Sequence, residues 1–360
     1  MLRYKKVTIK IGSNVLTRKD GTLDFTRMSA LVDQIAELYK KGVEIVLVSS
    51  GAVAAGRNKV LADKLDAVSS RQMFSAVGQV KLLNRYYMLF RDHGIVCGQV
   101  LTTKESLGKR DHYLNQRNCM RVMLDNGVIP IVNENDAISV TELMFTDNDE
   151  LSGLIATMMD DEALIILSNI NGIYDGNPTD PESRVIKEVL PGKRDLSEYI
   201  QIGKSSYGRG GMQTKTNIAS KVADEGLEVI IANGKKDDIL TDLFDADKDT
   251  LCTRFVASSE PVSSIKRWIA HSEGFAKGKI YVNEKCAQTL KESESAVSIL
   301  PIGVESIEGE FEKDDIVLIF GNDGKQIGVG RTQYNSDEAE KIIGKKGKKP
   351  IVHYDYLYLF

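Results

Sequence analysis

Short apolar runs alternate with longer amphipathic stretches over residues 1–257. Six runs have the composition of strands: VTIKIGSNVL, VEIVLVSSGAV, IVCGQVLTT, VIPIVNEND, ALIILSNI and LEVIIANG. Between the first two, apolar residues recur at helical spacing from Met28 to Tyr39, and Gly42 follows as a stop signal. The pattern is that of βαβ units and predicts an α/β fold, with a mainly parallel open sheet sandwiched by helices.

The pattern changes near residue 258. The stretch ASSEPVSSIKRW resembles a linker, and beyond it come short strand signals with glycine turns, such as GKIYVN and DDIVLIFGNDGKQIGVGRT. We therefore predict an α/β domain over residues 1–257, a linker over 258–274 and a small β-rich domain over 275–360.

Composition narrows the function classes. The 360 residues are 42% hydrophobic, which is ample for two cores, and the net charge of −4 gives no reason to expect a nucleic-acid or membrane partner. The four cysteines form no CxxC pair, so neither a zinc site nor a disulfide framework is indicated. No signal peptide and no run of about 18 apolar residues is present, so we expect a cytoplasmic protein that binds small polar ligands.

Polar residues follow the apolar runs at the points where the predicted strands end. The first run ends in KIGSN, the second in SSGA, the fourth in NEND and the fifth in SN. In open α/β sheets ligands bind outside the carboxyl ends of the strands, so these glycines, hydroxyls, amides and acids are expected to form one site.

Lys10 lies within the first predicted strand, on the face opposite to Ile9 and Ile11. If the strand is covered on both faces, the ammonium group is buried and needs an anion. If the strand lies at an edge of the sheet, Lys10 is solvated, and its position alone does not decide between the two. Gly12 and Ser13, directly after it, favour contact with phosphate.

The loop GRGGMQTK, residues 208–215, precedes an apolar helical stretch. Its glycines leave backbone N–H groups able to approach phosphate, and Lys215 falls near the first turn of the helix. The loop is neither a GxxxxGK[ST] motif nor a dinucleotide fingerprint, so a flexible surface loop is the alternative interpretation.

Acids and amides are dense around residues 133–149. Thr146 and Asp149 fit a capping box ahead of the helix LSGLIATMM, which accounts for Asp149 without any chemistry. Capping does not account for Asn148 or Asp136. The pair Asp160 and Asp161 is interpreted as a solvated helix end.

The motifs together resemble those of a known family. KIGSNVL, VLVSSGAVAAGR, VIPIVNENDAIS, FTDNDELSGLIA and GRGGMQTKTNIASKVADEG are similar, in order and spacing, to the glutamate 5-kinase branch of the amino acid kinase family. The C-terminal part, with GKIYVNEKCAQTLKES and VHYDYL, resembles a PUA domain. The resemblance covers essentially the whole chain. The chain departs from the family pattern at Arg209, where a threonine is usual, and at Ser168 and Asn169, where Thr-Asp is common.

The resemblance implies roles for individual residues. Lys10 and Lys215 would flank the transferred phosphoryl group as catalytic residues, and Asp149 would pair with and orient them. The substrate amino acid would be bound by Ser50, Gly51, Asn133, Asp136 and Asn148, with Asp136 receiving its ammonium group. The nucleotide would be bound by Lys10, Gly12, Ser13, Ser168, Asn169, Arg209, Gly210, Gly211, Met212, Gln213, Thr214 and Lys215.

The resemblance also implies an activity. ATP would phosphorylate the side-chain carboxylate of L-glutamate in the first step of proline biosynthesis, with Mg²⁺ held by phosphate oxygens and water rather than by protein ligands. Proline would act as feedback inhibitor, the protein would be a homo-oligomer, and glutamyl phosphate reductase is a candidate partner.

Two alternatives to this activity remain at this stage. One is a kinase of the same fold for another carboxylate or for a nucleoside monophosphate. The other is an RNA-binding PUA protein, although residues 275–360 carry 12 lysines and arginines against 14 acids, which does not favour nucleic acid.

Overall fold

The computed structural model describes residues 2–57, 65–138, 148–192, 196, 212–259, 264–293 and 296–360. The chain forms two compact units, Met1–Pro261 and Val262–Phe360. Each unit has its own sheet and its own hydrophobic core.

The N-terminal unit is built on an eight-stranded sheet. Its strands are β1 Lys6–Ile11, β2 Glu44–Ser49, β3 Val96–Thr102, β4 Val128–Glu134, β5 Ala163–Ser168, β6 Glu188–Val189, β7 Glu228–Asn233 and β8 Thr253–Phe255. Its helices are α1 Ser13–Leu16, α2 Phe25–Lys40, α3 Ala52–Arg57, α4 Ala67–Asp92, α5 Lys104–Gly108, α6 Arg110–Asp125, α7 Asn148–Met159, α8 Met212–Asp224 and α9 Ile239–Phe244.

The strand order across this sheet is β3-β4-β2-β1-β5-β7-β8-β6, and every pairing is parallel except that of β7 with β8. The six predicted strands are β1, β2, β3, β4, β5 and β7, which lie next to one another in the sheet, so the predicted fold class is confirmed. The short strands β6 and β8 were not predicted. β1 lies inside the sheet between β2 and β5, so the edge-strand alternative for Lys10 is wrong.

Helix α2 shows how the apolar pattern becomes packing. Met28, Leu31, Val32 and Ile35 have no exposed surface and lie in the core cluster that includes β1 and β2. The carboxylate of Asp24 accepts a hydrogen bond from the backbone N–H of Arg27 at the start of the helix. The helix therefore begins at a cap and buries the stripe that its sequence predicted.

The two acids after α7 differ in environment. Asp160 is exposed, as expected, but Asp161 is buried and accepts a hydrogen bond of 2.6 Å from the Thr8 hydroxyl. The interpretation of Asp161 as part of a solvated helix end is therefore wrong. Burial raises the pKa of Asp161 to about 8. The hydrogen bond from Thr8 opposes this increase in part, and the nearby charge of Glu44 adds to it.

The C-terminal unit is rich in strands, as predicted. It contains α10 Ser264–Ala270, a short 3₁₀ turn Glu273–Phe275, β9 Gly278–Val282, α11 Glu284–Glu292, a second turn Pro301–Gly303, β10 Val304–Glu308, β11 Ile316–Phe320, β12 Gln326–Thr332, α12 Ser336–Ile342 and β13 Val352–Leu359. The strand order is β10-β9-β11-β12-β13. Helix α10 lies in the range expected to be a linker and packs against β13. The three domain ranges themselves stay a prediction.

Across the described ranges, no helix is both long enough and apolar enough to cross a membrane.

Candidate active site

Two lysines meet one buried carboxylate at the carboxyl end of the central strands. Lys10 comes from the end of β1, Asp149 from the first turn of α7, and Lys215 from the first turn of α8. One carboxylate oxygen of Asp149 accepts a hydrogen bond from Lys10 Nζ, and the other accepts one of 2.6 Å from Lys215 Nζ. The structure thus brings together the three predicted catalytic residues, although they are widely separated in sequence.

The pairing keeps Asp149 ionised. Its side chain has no exposed surface, and burial alone would raise its pKa, but the charges of Lys10 and Lys215 and the hydrogen bonds from both hold the pKa well below its usual range. Two ammonium groups share one carboxylate, so the formal charges of these three largely buried side chains sum to +1. Such a cluster attracts anions and favours negative charge that develops on a bound group.

Asn148, the neighbour of Asp149, joins this cluster to a group of amides and hydroxyls. Its side-chain nitrogen lies 3.1 Å from the Ser49 carbonyl oxygen, 3.0 Å from Ser50 Oγ and 2.9 Å from Asn133 Oδ1. Gly51 follows Ser50 with φ +105°, a conformation that favours glycine. The predicted substrate-binding residues at the ends of β2 and β4 therefore lie beside the paired lysines and acid.

Asp136 is the fifth predicted substrate-binding residue, and it is held by helix α4. Its Oδ1 accepts hydrogen bonds from Arg71 Nη2 at 2.7 Å and Nε at 3.1 Å, while its Oδ2 accepts one of 3.3 Å from Ser75 Oγ. Arg71 Nη2 also lies 3.9 Å from a carboxylate oxygen of Glu134. This end of the site therefore places one arginine beside two buried acids.

Sequence reasoning missed the contribution of α4. Arg71, Ser75 and Gln79 are spaced four residues apart and so face one side of the helix, and Gln79 accepts a hydrogen bond of 2.9 Å from the Asn133 amide. The signal was a polar stripe at helical spacing within a long amphipathic helix. Such a stripe usually marks only a solvated face, and nothing in the sequence shows what lies across from it.

Two glycines fix α4 against α3, the helix that follows Ser50 and Gly51. A Cβ atom on Gly56 would lie 2.0 Å from the Phe74 carbonyl oxygen, and one on Gly78 would lie 1.8 Å from the Ala52 carbonyl oxygen. The two backbones therefore approach more closely than any side chain would allow. The helix that holds Asp136 and Asn133 is thereby locked to the turn that carries Ser50.

The predicted nucleotide-binding residues are only partly described. Gly12 lies close to the lysine cluster, since a Cβ atom built on it would lie 3.7 Å from Lys10 Nζ, and Ser13 follows it as an exposed residue. Ser168 ends β5, the neighbour of β1, and Asn169 follows it. Met212, Gln213 and Thr214 form the start of α8. Arg209, Gly210 and Gly211 lie outside the described residues.

No cluster of three or more His, Cys, Asp or Glu side chains that could hold a metal ion occurs in the described part of the chain. Near the lysine cluster, both carboxylate oxygens of Asp149 are engaged by ammonium groups.

Two lysines paired with a buried acid at the carboxyl ends of a mainly parallel α/β sheet form the kind of site expected of a phosphotransferase. The chain belongs to the amino acid kinase family, whose model matches residues 5–233, and a PUA domain model matches residues 278–354. The resemblance noted from the motifs is thereby confirmed. The protein is a kinase, and its family implies ATP as phosphoryl donor.

Individual proteins agree with this assignment. The chain is 68% identical over 357 residues to a Bacteroides thetaiotaomicron protein named glutamate 5-kinase, a match that covers 99% of both chains. It is 46% identical over 361 residues to a glutamate 5-kinase of Chlorobaculum tepidum, covering 99% of this chain and 98% of that one. The structure of carbamate kinase from Giardia lamblia bound to AMP-PNP matches 72% of this chain and 100% of its own, with a TM-score of 0.52 at 15% identity, which shows the shared fold.

Proposed function

We propose that this protein transfers the γ-phosphoryl group of ATP to the side-chain carboxylate of L-glutamate, giving L-glutamyl 5-phosphate for proline biosynthesis. The observation that carries the proposal is the Lys10–Asp149–Lys215 cluster, which adjoins, through Asn148, a group of amides and hydroxyls that can hold an amino acid. The high identity to proteins named glutamate 5-kinase over the full length supports the choice of substrate.

The reaction needs charge stabilisation rather than a base. A glutamate side chain with a pKa near 4.3 is already ionised at neutral pH, so it can attack phosphorus without losing a proton. The obstacle is the approach of an anion to a polyanion, and the charge on the transferring group must be balanced. Lys10 and Lys215 supply that balance, and Asp149 holds their ammonium groups in fixed positions.

The polarity of the site matches the acceptor. The lysine cluster lies at one end and the acids Asp136 and Glu134 at the other, with Asn148 and Asn133 between them. A glutamate molecule can therefore direct its side-chain carboxylate toward the lysines and its ammonium group toward Asp136. Ser50, Gly51 and the two asparagines supply hydrogen-bond donors for its carboxylates.

The nucleotide phosphates would be bound by Gly12, Ser13 and the 209–215 segment, with Ser168 and Asn169 near the ribose or base. Mg²⁺, when bound, neutralises phosphate charge, and it would be held by phosphate oxygens and water. Asp149 remains engaged with the two lysines in this arrangement, so it acts by orienting them.

Hydroxylamine trapping tests the activity, because an acyl phosphate reacts with hydroxylamine to give a hydroxamate, whose ferric complex is coloured. Purified protein with ATP and Mg²⁺ should form hydroxamate with L-glutamate, and markedly less with L-aspartate or L-glutamine. Product formation only with another carboxylate, or phosphorylation of a nucleoside monophosphate, would replace the proposed substrate by one of those alternatives.

Several further properties belong to the same proposal. The protein is cytoplasmic and homo-oligomeric, passes its product to glutamyl phosphate reductase, and is inhibited by proline. Proline shares the α-carboxylate and the charged nitrogen of glutamate but has no side-chain carboxylate, so it can occupy the groups around Asp136 without being phosphorylated. Proline should therefore inhibit less as glutamate is raised, and inhibition that is indifferent to glutamate would exclude overlapping sites.

A further inference from the structure

Arg71 is placed where it can touch the substrate, although no motif pointed to it. Its guanidinium group uses Nε and Nη2 on one oxygen of Asp136, while its Nη1 donates no hydrogen bond to any residue in the described ranges. Its side chain is 30% exposed, whereas that of Asp136 is 9% exposed. The arginine therefore has donors left on the open side of a largely buried acid.

The ion pair of Asp136 and Arg71 is complementary in charge to the ammonium and carboxylate groups of a free α-amino acid. In such a substrate the ammonium and the carboxylate are attached to the same carbon, so the two charges are only a few bonds apart. Asp136 and Arg71 present the complementary charges at contact distance, 2.7 Å between Oδ1 and Nη2. An α-amino acid can therefore replace one internal ion pair by two pairs with the protein, leaving no charge unmatched.

We propose that Arg71 binds the α-carboxylate of the substrate while Asp136 binds its ammonium group, so that the pair selects free α-amino acids. This inference rests on the proposed glutamate kinase function and names the residue that recognises the non-reacting end of the acceptor.

The local structure supports this division of roles. An ammonium group that approaches Asp136 competes with Arg71 for Oδ1. A carboxylate on the substrate can then accept hydrogen bonds from Arg71 in place of those that it loses to Asp136. Asp136 keeps its orientation meanwhile, because Ser75 holds Oδ2 from the next turn of α4. Arginine suits this task since its planar fork can engage two carboxylates at once.

The alternative is that Arg71 only holds Asp136 in place. In that case replacing Arg71 weakens every substrate that has an ammonium group, whether or not it carries an α-carboxylate. The two roles therefore differ in whether the effect of replacing Arg71 depends on the presence of the α-carboxylate in the substrate.

The test compares L-glutamate with L-isoglutamine, which keeps the ammonium group and the reactive side-chain carboxylate but has a neutral α-carboxamide. Hydroxamate formation gives kcat/KM for both substrates with the wild-type protein, Arg71→Met and Arg71→Lys. Arg91→Met is the matched control, since Arg91 lies at the exposed far end of the same helix.

With the wild-type protein and with Arg91→Met, we expect glutamate to be preferred over isoglutamine by at least ~10-fold, the scale of one charge-assisted hydrogen bond. With Arg71→Met the preference should fall to about threefold or less, through a loss confined to glutamate. Arg71→Lys should retain an intermediate preference, because it keeps the charge without the fork.

Three results would overturn the inference. An unchanged preference in a folded Arg71→Met protein would make Arg71 a residue that only positions Asp136. Equal use of glutamate and isoglutamine by the wild-type protein would remove α-carboxylate recognition altogether, and this result needs no variant. If Arg71→Met fails to fold, Arg71→Lys decides instead: the same preference for glutamate over isoglutamine as in the wild-type protein would show that the guanidinium group of Arg71 does not recognise the α-carboxylate. Absence of hydroxamate with glutamate and wild-type protein would instead refute the proposed function.

Discussion

At the scale of single residues, the site depends on one carboxylate that serves two lysines. Asp149 has no exposed surface, yet the charges of Lys10 and Lys215 keep it ionised. Removing either lysine takes away one of the two ammonium groups that keep the acid ionised, and removing the acid takes away the carboxylate that both lysines share. The three side chains therefore act as a unit, and their effects on turnover are not expected to add.

Lys215→Ala should lower kcat by about 10²–10³-fold, because it removes charge stabilisation that is needed most in the transition state. Lys221→Ala, on the same helix, is the control and should keep near-normal turnover. Steady-state hydroxamate assays at saturating glutamate measure both variants, with circular dichroism to check the fold. A folded Lys215→Ala protein with near-normal kcat would remove Lys215 from the catalytic group.

Asp161 gives the folded protein a predictable pH dependence. Its pKa rises from 3.8 to about 8 on folding, so between these values the folded protein holds a proton that the unfolded chain has released. The free energy of unfolding should therefore fall as the pH rises through this interval and level off above it. Asp161→Asn keeps an acceptor for Thr8 without the charge, so it should flatten this dependence.

Urea midpoints at about pH 5, 7 and 9 measure the effect in wild-type and variant proteins, with the difference between them as the quantity of interest. Asp160→Asn is the control, because this neighbour is exposed and its positive φ of 55° is one that asparagine tolerates. A wild-type protein and an Asp161→Asn variant with parallel pH profiles would show that Asp161 ionises at its ordinary pKa.

The role of a single residue could be predicted from the sequence only where the surrounding pattern shows that the side chain is buried and needs a partner. Lys10 was identified because a lysine in a β-rich apolar run is unusual and needs an anion. Arg71 and Gln79 were missed because polar residues on a long helix normally face water. Asp161 was misjudged for a related reason, since a sequence does not show that Thr8 of a distant strand covers the end of α7.

At the scale of elements, the contact between α3 and α4 links two parts of the site. Helix α3 follows the turn with Ser50, while α4 holds Asp136 and Asn133 through side chains of successive turns. Ser49, just before that turn, also hydrogen-bonds to the buried hydroxyl of Tyr86 on α4 at 2.8 Å. A shift of one helix against the other should therefore disturb substrate binding before it disturbs the lysine cluster.

Gly78→Ala tests this link, because the new methyl group would lie 1.8 Å from the Ala52 carbonyl oxygen and must push α3 away. Overpacking of this kind costs about 1–3 kcal/mol, which lowers the melting temperature by several degrees at roughly 2–4 °C per kcal/mol. The KM for glutamate should rise more than kcat falls. Ala76→Ser, at an exposed position of α4, is the control.

An unchanged melting temperature in Gly78→Ala would mean that the two helices separate at little cost. A normal melting temperature together with a normal KM would show that the close contact of α3 and α4 does not position the substrate groups.

The elements themselves were predictable in proportion to their length and periodicity. The six long strands and α2 followed from apolar runs and helical spacing, because burial on both sheet faces leaves a clear pattern. The strands β6 and β8 have only two and three residues, too few to show any period. Their place at the end of the sheet is decided by tertiary pairing, including the antiparallel pairing of β8 with β7.

At the scale of the whole molecule, the described residues of the two units form separate hydrophobic clusters. Every proposed site residue precedes residue 216, whereas the C-terminal core is formed by residues from Ile280 to Leu357. Helix α10 belongs to the C-terminal unit, where Trp268 and Ile269 are 2% and 0% exposed. A chain that ends within the predicted linker would retain this helix without the strands that cover it.

Two truncated proteins, one without α10 and one that retains it, should therefore differ in solubility. A protein that ends at Pro261 should be soluble and form glutamyl hydroxamate at a measurable rate, because it keeps the whole N-terminal core and the site. A protein that ends at Gly274 should aggregate more readily, because it exposes the apolar side of α10. Soluble yield, gel filtration and the hydroxamate assay compare the two. A folded Pro261 truncation without activity would show that the C-terminal unit is needed for catalysis, and equal solubility of both would contradict the assignment of α10 to that unit.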